Sequence, residues 1–174
     1  GTTIFSNTAG TMVEIQASQD STVTIKDCSF VDMASGDGAL SVNGGILTMT
    51  NVTFSNNTGT TGGAYIISLA SGNITNCTFD SNVADTNAGG LTLVGVNNVD
   101  LGTIIFTDNE GQLGGAMSIL APSDSVSLVD CVFTNNYATA DGGALFGTTS
   151  TSISLENCEF TTNTAPAGMG GAIK

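Results

Sequence analysis

Asn76-Cys77-Thr78-Phe79-Asp80-Ser81-Asn82 is the stretch from which the chain is read, because relatives of it recur from end to end. Its phenylalanine has counterparts at Phe5, Phe30, Phe54, Phe106, Phe133 and Phe160, and the successive intervals are 25, 24, 25, 27, 27 and 27 residues. A fixed period of this size, carried by one residue type, marks a stack of repeated units in which each buries its apolar side against the next.

Working outward from each Phe, two apolar rows emerge. Five residues before it stand Ile25, Met49, Ile74, Leu101, Leu128 and Leu155, and two before it stand Cys28, Val52, Cys77, Ile104, Cys131 and Cys158. Inward positions along one strand are two residues apart, so Phe and the residue two before it share a strand. The three-residue step between the rows breaks that phase and requires a corner. The residue there is Asp27, Asn51, Asn76, Thr103, Asp130 or Asn157, and Asn and Asp tolerate the left-handed backbone that a sharp bend needs. Three residues after the Phe lies a second polar row, Asn57, Asn82, Asn109, Asn136 and Asn163, with Thr8 and Met33 in the first two copies. Stacked amides at such a row are expected to hydrogen-bond from coil to coil.

After a loop of variable length comes a glycine-led strand, as in Gly62-Gly63-Ala64-Tyr65, Gly89-Gly90-Leu91, Gly114-Gly115-Ala116-Met117 and Gly142-Gly143-Ala144-Leu145; Gly10-Thr11-Met12 is a degenerate first member. Each copy therefore supplies three short strands separated by bends. The fold class expected is all-β: a single-stranded, right-handed parallel β-helix of about seven coils of 24–28 residues, occupying residues 1–174 as one domain and forming a segment of a longer array. Right-handedness follows the general preference of parallel crossovers. A leucine-rich repeat is excluded because its Leu-x-x-Leu-x-Leu pattern is absent.

The two alternating motifs, Phe-x-x-Asn at Phe54, Phe79, Phe106, Phe133 and Phe160 and Gly-Gly-Ala-x at Gly62, Gly114, Gly142 and Gly170, resemble the repeats of the chlamydial polymorphic membrane proteins. Those are autotransporter surface proteins. The resemblance implies a β-helical passenger that is extracellular or at the cell surface, with an adhesive role. Thr8 and Met33 in place of Asn, and Leu91 in place of Ala, depart from the pattern.

Composition narrows the chemistry. Fifteen acidic residues against Lys26 and Lys174 give a net charge of −13, which repels nucleic acid and anionic lipid, so neither is an expected partner. No apolar run has the length of a membrane span. With no His or Arg, the usual bases and anion clamps are missing, and no catalytic residue, cofactor or metal site is expected. The function expected is a non-enzymatic structural or adhesive segment, whose partners are other copies of itself or cell-surface and matrix components. The alternative is a carbohydrate-active or carbohydrate-binding β-helix protein, for which paired carboxylates would be needed.

Three sets of candidate site residues remain. Asn51, Asn56, Asn73 and Asn76 open N-glycosylation sequons; Asn73 lies on an outward strand position, whereas Asn51 and Asn76, in the corner row, are expected to be less accessible. Tyr65, Ile66, Ile67, Leu91, Leu93 and Val94 make the glycine-led strands apolar on both sides, a candidate lateral interface. Cys131 and Cys158 are in adjacent coils of one row, 27 residues apart, and are a candidate disulfide; the cysteines otherwise read as small core hydrophobes.

Overall fold

The computed structural model describes residues 3–6, 12–34, 36, 38–121, 123–148 and 152–174, the first four by their backbone pairing alone. Thr8, the first member of the Asn row, and Gly10-Thr11 lie outside the described residues. Every strand pairing is parallel and joins positions one repeat apart, so that Phe5, Phe30, Phe54, Phe79, Phe106, Phe133 and Phe160 are register partners in turn. The row that suggested the repeat is thus the row that sets the register.

The strands fall into an eleven-stranded, a six-stranded and a four-stranded sheet. The largest contains two faces. A leucine face is built from the first part of Thr22–Val31 and of Ile46–Ser55, then from Ser71–Thr75, Asn98–Gly102, Ser125–Val129 and Ser152–Glu156. A phenylalanine face runs from Thr3–Ser6 through the later part of the two long strands to Thr78–Asp80, Ile105–Thr107, Val132–Thr134 and Glu159–Thr161. The six-stranded sheet is the glycine-led face: Val13–Gln16, Leu40–Asn43, Ala64–Ile67, Leu91–Val94, Met117–Leu120 and Leu145–Gly147.

Two differences from the sequence reading concern the count of elements. The four-stranded sheet, Thr58–Gly59, Val83–Ala84, Glu110–Leu113 and Tyr137–Asp141, is a fourth side, so a coil is not three-stranded. Its inward positions are filled by Ala84, Gly111 and Ala138, side chains too small to leave a hydrophobic signal. Five coils carry strands on the leucine, phenylalanine and glycine-led faces. The first and last Phe copies belong to partial turns, which corrects the expected seven.

The corner lies where the broken phase put it. Asp27, Asn51, Asn76, Thr103, Asp130 and Asn157 all have positive φ, between 52° and 56°, in the left-handed region that Asn and Asp tolerate best. A second positive-φ row, Asp32, Asn56, Ser81, Asp108, Asn135 and Thr162, stands two residues after each Phe from Phe30 to Phe160. A left-handed residue re-aims the side chain that follows it, and here the follower is the next row's Met33, Asn57, Asn82, Asn109, Asn136 or Asn163. That second bend turns the amides inward, where Asn57, Asn82, Asn109 and Asn136 are fully buried.

Inside the coil, two columns run the length of the stack. Phenylalanine rings from Phe30 to Phe160 lie face over face, with centroids 4.6–4.9 Å apart and interplanar angles of 12° or less. Beside them the asparagine amides form a ladder, Asn57 Nδ2 donating to Asn82 Oδ1 at 2.8 Å, and the same bond joining Asn82 to Asn109, Asn109 to Asn136 and Asn136 to Asn163 at 2.9–3.0 Å. Each of Asn82, Asn109 and Asn136 also accepts the backbone N–H of its predecessor in the ladder and donates to the carbonyl of a Phe one coil back. A buried amide costs stability unless its donors and acceptor are all paired, and this geometry pairs them.

The glycine-led approach is tight. A Cβ on Gly115 would lie 2.3 Å from the Gly143 carbonyl oxygen and 2.6 Å from the Tyr137 backbone nitrogen, so the short fourth side and the glycine-led face meet backbone to backbone. Below that contact the core is contiguous, Leu40, Ile66, Leu91, Met117 and Leu145 packing toward the Phe column.

Candidate functional surfaces

Because the two inner columns are buried, only outward rows can meet a partner. On the leucine face the outward row Thr24, Thr48, Asn73, Asp100, Ser127 and Ser154 is exposed or half-buried throughout and held in register coil by coil. It is a flat polar surface with one charge.

Three carboxylates in the bend rows, Asp27, Asp108 and Asp130, each accept the amide of an Asn one coil away, whereas others, such as Asp100 and Glu110, lie on strands. Asn51 Nδ2 donates to Asp27 Oδ1 at 3.1 Å, Asn157 Nδ2 to Asp130 Oδ1 at 3.3 Å, and Asn135 Nδ2 to Asp108 Oδ1. Asp141 receives Lys174 Nζ at 2.7 Å and the Met169 N–H, and these bonds, Lys174 foremost, hold its carboxyl below the usual carboxylate range. Among the described residues no group of three or more His, Cys, Asp or Glu side chains could hold a metal ion.

Exposed aromatic surface occurs on the fourth side. Tyr137 is 38% exposed and is the register partner of Glu110. Sequence reasoning missed this pair because Tyr137 follows the Asn row in only one copy, so no periodicity points to it.

The sequon asparagines are all exposed: Asn73 on its strand as expected, and Asn51, Asn56 and Asn76 as well. This corrects the expectation for the corner row. A left-handed corner throws its own side chain outward, and Asn51 and Asn76 stand in that row one coil apart.

The lateral-interface set divides. Ile66, Leu91 and Leu93 are fully buried in the core, and only Tyr65, Ile67 and Val94 are half-exposed. The strand alternates as any strand does, and the apolar residues on the inner side belong to the coil itself. The outward ridge continues through Leu120, register partner of Val94. The row of Tyr65 closes in the next two coils: its register partners Thr92 and Ser118 are fully buried, and their hydroxyls bond at 3.1 Å, with the Ala88 N–H donating to Thr92 Oγ1 at 3.3 Å. Ile67→Asp is therefore expected to change the unfolding free energy by no more than about 1 kcal/mol, as for a surface position; a urea titration showing a core-sized loss would contradict its placement.

All four cysteines are free thiols. The candidate Cys131–Cys158 bond is not formed: Cys131 Sγ points to the Val129 and Leu101 carbonyls at 3.4 and 3.8 Å, and Cys158 Sγ to those of Glu156 and Leu128 at 3.4 and 3.5 Å. Side chains on adjacent parallel strands point the same way, which keeps their Cβ atoms near the ~4.8 Å strand spacing, beyond the roughly 3.5–4.5 Å of a relaxed disulfide. Burial pushes the thiols of Cys77 and Cys131 up to about 11 and raises that of Cys28, as expected of cysteines used as core hydrophobes.

At the first coil a cavity of about 300 Å³ is bounded by Val13, Ile15, Ile25, Phe30 and Leu40, with Lys26 at its edge. It opens on the side of residues 22–26 that no strand among the described residues pairs with.

No helix among the described residues is long and apolar enough to cross a membrane. No curated protein and no solved structure matches the chain. A family model described as a right-handed β-helix region matches residues 3–173, in agreement with the parallel registers, the stacked rings and the handedness expected of such crossovers. It carries no finer likeness to the chlamydial repeats, which rests on the motifs alone. By that match over nearly its whole length, the chain belongs to the right-handed β-helix family.

Proposed function

We propose that the chain is a non-enzymatic structural or adhesive segment of an extracellular or cell-surface protein, a stiff β-helical rod whose outward rows meet other copies of itself or cell-surface and matrix components. The observation that carries this reading is the pair of unbroken inner columns. Ring on ring and amide on amide from Phe30 and Asn57 to Phe160 and Asn163, they invest the repeat in rigidity. Asp27, Asp108 and Asp130 sit at separate exposed corners, each bonded to an Asn amide, which fits this reading. The motif resemblance to surface adhesins agrees with it, and so does the half-exposed ridge of Ile67, Val94 and Leu120.

A second reading, carbohydrate binding or turnover, is favoured by Tyr137 beside Glu110: an exposed ring offers a face to the C–H side of a sugar and the carboxylate accepts its hydroxyls. The two are separated by incubating the purified chain with surface and matrix polysaccharides while measuring retention on matrix-coated and cell-coated plates. Retention without release of reducing sugar is expected. Release of oligosaccharide that is lost in Glu110→Gln would replace the structural reading with the enzymatic one.

A further inference from the structure

We infer, independently of that reading, that Cys131 and Cys158 form a two-thiolate site for a soft monovalent d10 cation of the Cu(I) class. Their row is otherwise interrupted. Cys28 and Cys77 are separated by Val52, and Cys77 and Cys131 by Ile104, so only Cys131 and Cys158 occupy the same position in neighbouring coils. The strands on either side hold that relation, Val132 pairing with Glu159 and the Asp130 N–H donating to the Glu156 carbonyl at 3.0 Å.

The same stacking that keeps the pair from closing as a disulfide suits a bridging ion. With metal–sulfur bonds of ~2.3 Å, the length found at zinc thiolates, a linear S–M–S unit spans about 4.6 Å. That matches the coil spacing of ~4.8 Å. No third His, Cys, Asp or Glu joins the pair among the described residues, which disfavours tetrahedral zinc and suits an ion content with two soft ligands. Cys131 is fully buried and Cys158 half-buried, so Cys158 is the point of entry. Binding replaces the two thiol protons by one metal ion, with two protons released to water and no change in oxidation state. The Sγ–H donations to the Val129 and Glu156 carbonyls are given up in exchange.

The test is anaerobic titration of the reduced chain with Cu(I) in the presence of excess chromogenic Cu(I) chelator. Wild type and Cys77→Ala are expected to retain one equivalent, and Cys158→Ser to retain at least ten-fold less under the same competition. X-ray absorption of the loaded wild type is expected to show two sulfur neighbours and no nitrogen or oxygen ligand. Equal retention by Cys158→Ser, loss in Cys77→Ala, release of copper from the wild type, or ready formation of a Cys131–Cys158 disulfide in air would each overturn the assignment. None of these outcomes bears on whether the rod is adhesive.

Discussion

Phe133→Ala lowers the free energy of unfolding by about 3–5 kcal/mol in a urea or guanidinium titration, the range for aromatic truncation in a core. The ring is fully buried, and its centroid lies 4.7 Å from that of Phe106 and 4.6 Å from that of Phe160. Two terms add. Removal of the ring forfeits its transfer free energy, and the space left cannot collapse, because the rings above and below are fixed by the Phe106, Phe133 and Phe160 register. Two stacked pairs are also lost, each contributing ~0.5–1.5 kcal/mol beyond area. Phe133→Leu, which retains much of the volume but no ring face, falls between wild type and Phe133→Ala. A loss below about 1 kcal/mol for the alanine variant, the size of an ordinary surface change, would show that the column is not the core.

Asn109→Ala is expected to be comparably destabilising although it removes far less volume. Asn109 Oδ1 accepts the Asn82 N–H at 3.1 Å and Asn82 Nδ2 at 3.0 Å, while its own Nδ2 donates to the Phe79 carbonyl at 2.8 Å and to Asn136 Oδ1 at 3.0 Å. Truncation leaves these partners without Asn109, in an interior with no access to solvent. At ~1–3 kcal/mol for each buried group left unpaired, the loss is about 3 kcal/mol or more. Asn109→Asp separates hydrogen bonding from shape. Its carboxylate accepts from Asn82 but cannot donate to Phe79 or Asn136, and burial disfavours the charged form. A carboxyl held above its unfolded pKa makes the folded state bind the proton more tightly. Stability of this variant is therefore greatest below the unfolded value of ~3.9 and falls as pH rises through the folded one. Denaturation midpoints of Asn109→Asp at pH 4 and pH 7, set against wild type, check the sign; a variant more stable at pH 7 would contradict the ladder.

Much of the architecture was legible because a solenoid writes its register into the chain. One residue type at a fixed interval, flanked by apolar rows two and five positions earlier, defines both the in-register Phe column and the corner between two faces. The positive φ at Asn51 and Asn76 follows from that broken phase. The amide ladder was legible for the same reason, since a polar residue repeated in place must either face water or bond to its own image. The fourth side was not, because a strand of two residues such as Val83–Ala84, with a small inward side chain, has no periodicity to display.

The candidate surfaces were less readable. Ile66 and Ile67 are chemically alike, and nothing in a local run of apolar residues says which one the coil keeps; the strand phase inherited from the fold buries Ile66 and leaves Ile67 half-exposed. Thr92 and Ser118 are outward by phase yet buried, their hydroxyls bonded to each other and Thr92 Oγ1 accepting the Ala88 N–H from just before the strand. The amino-acid sequence by itself determined the repeat, its parallel register and the two inner columns, since these depend only on like residues recurring at one interval. Tertiary structure alone decided which outward rows stay open, how the cysteine pair is oriented and where Tyr137 meets Glu110, since these depend on segments many residues apart being brought to one side of the rod.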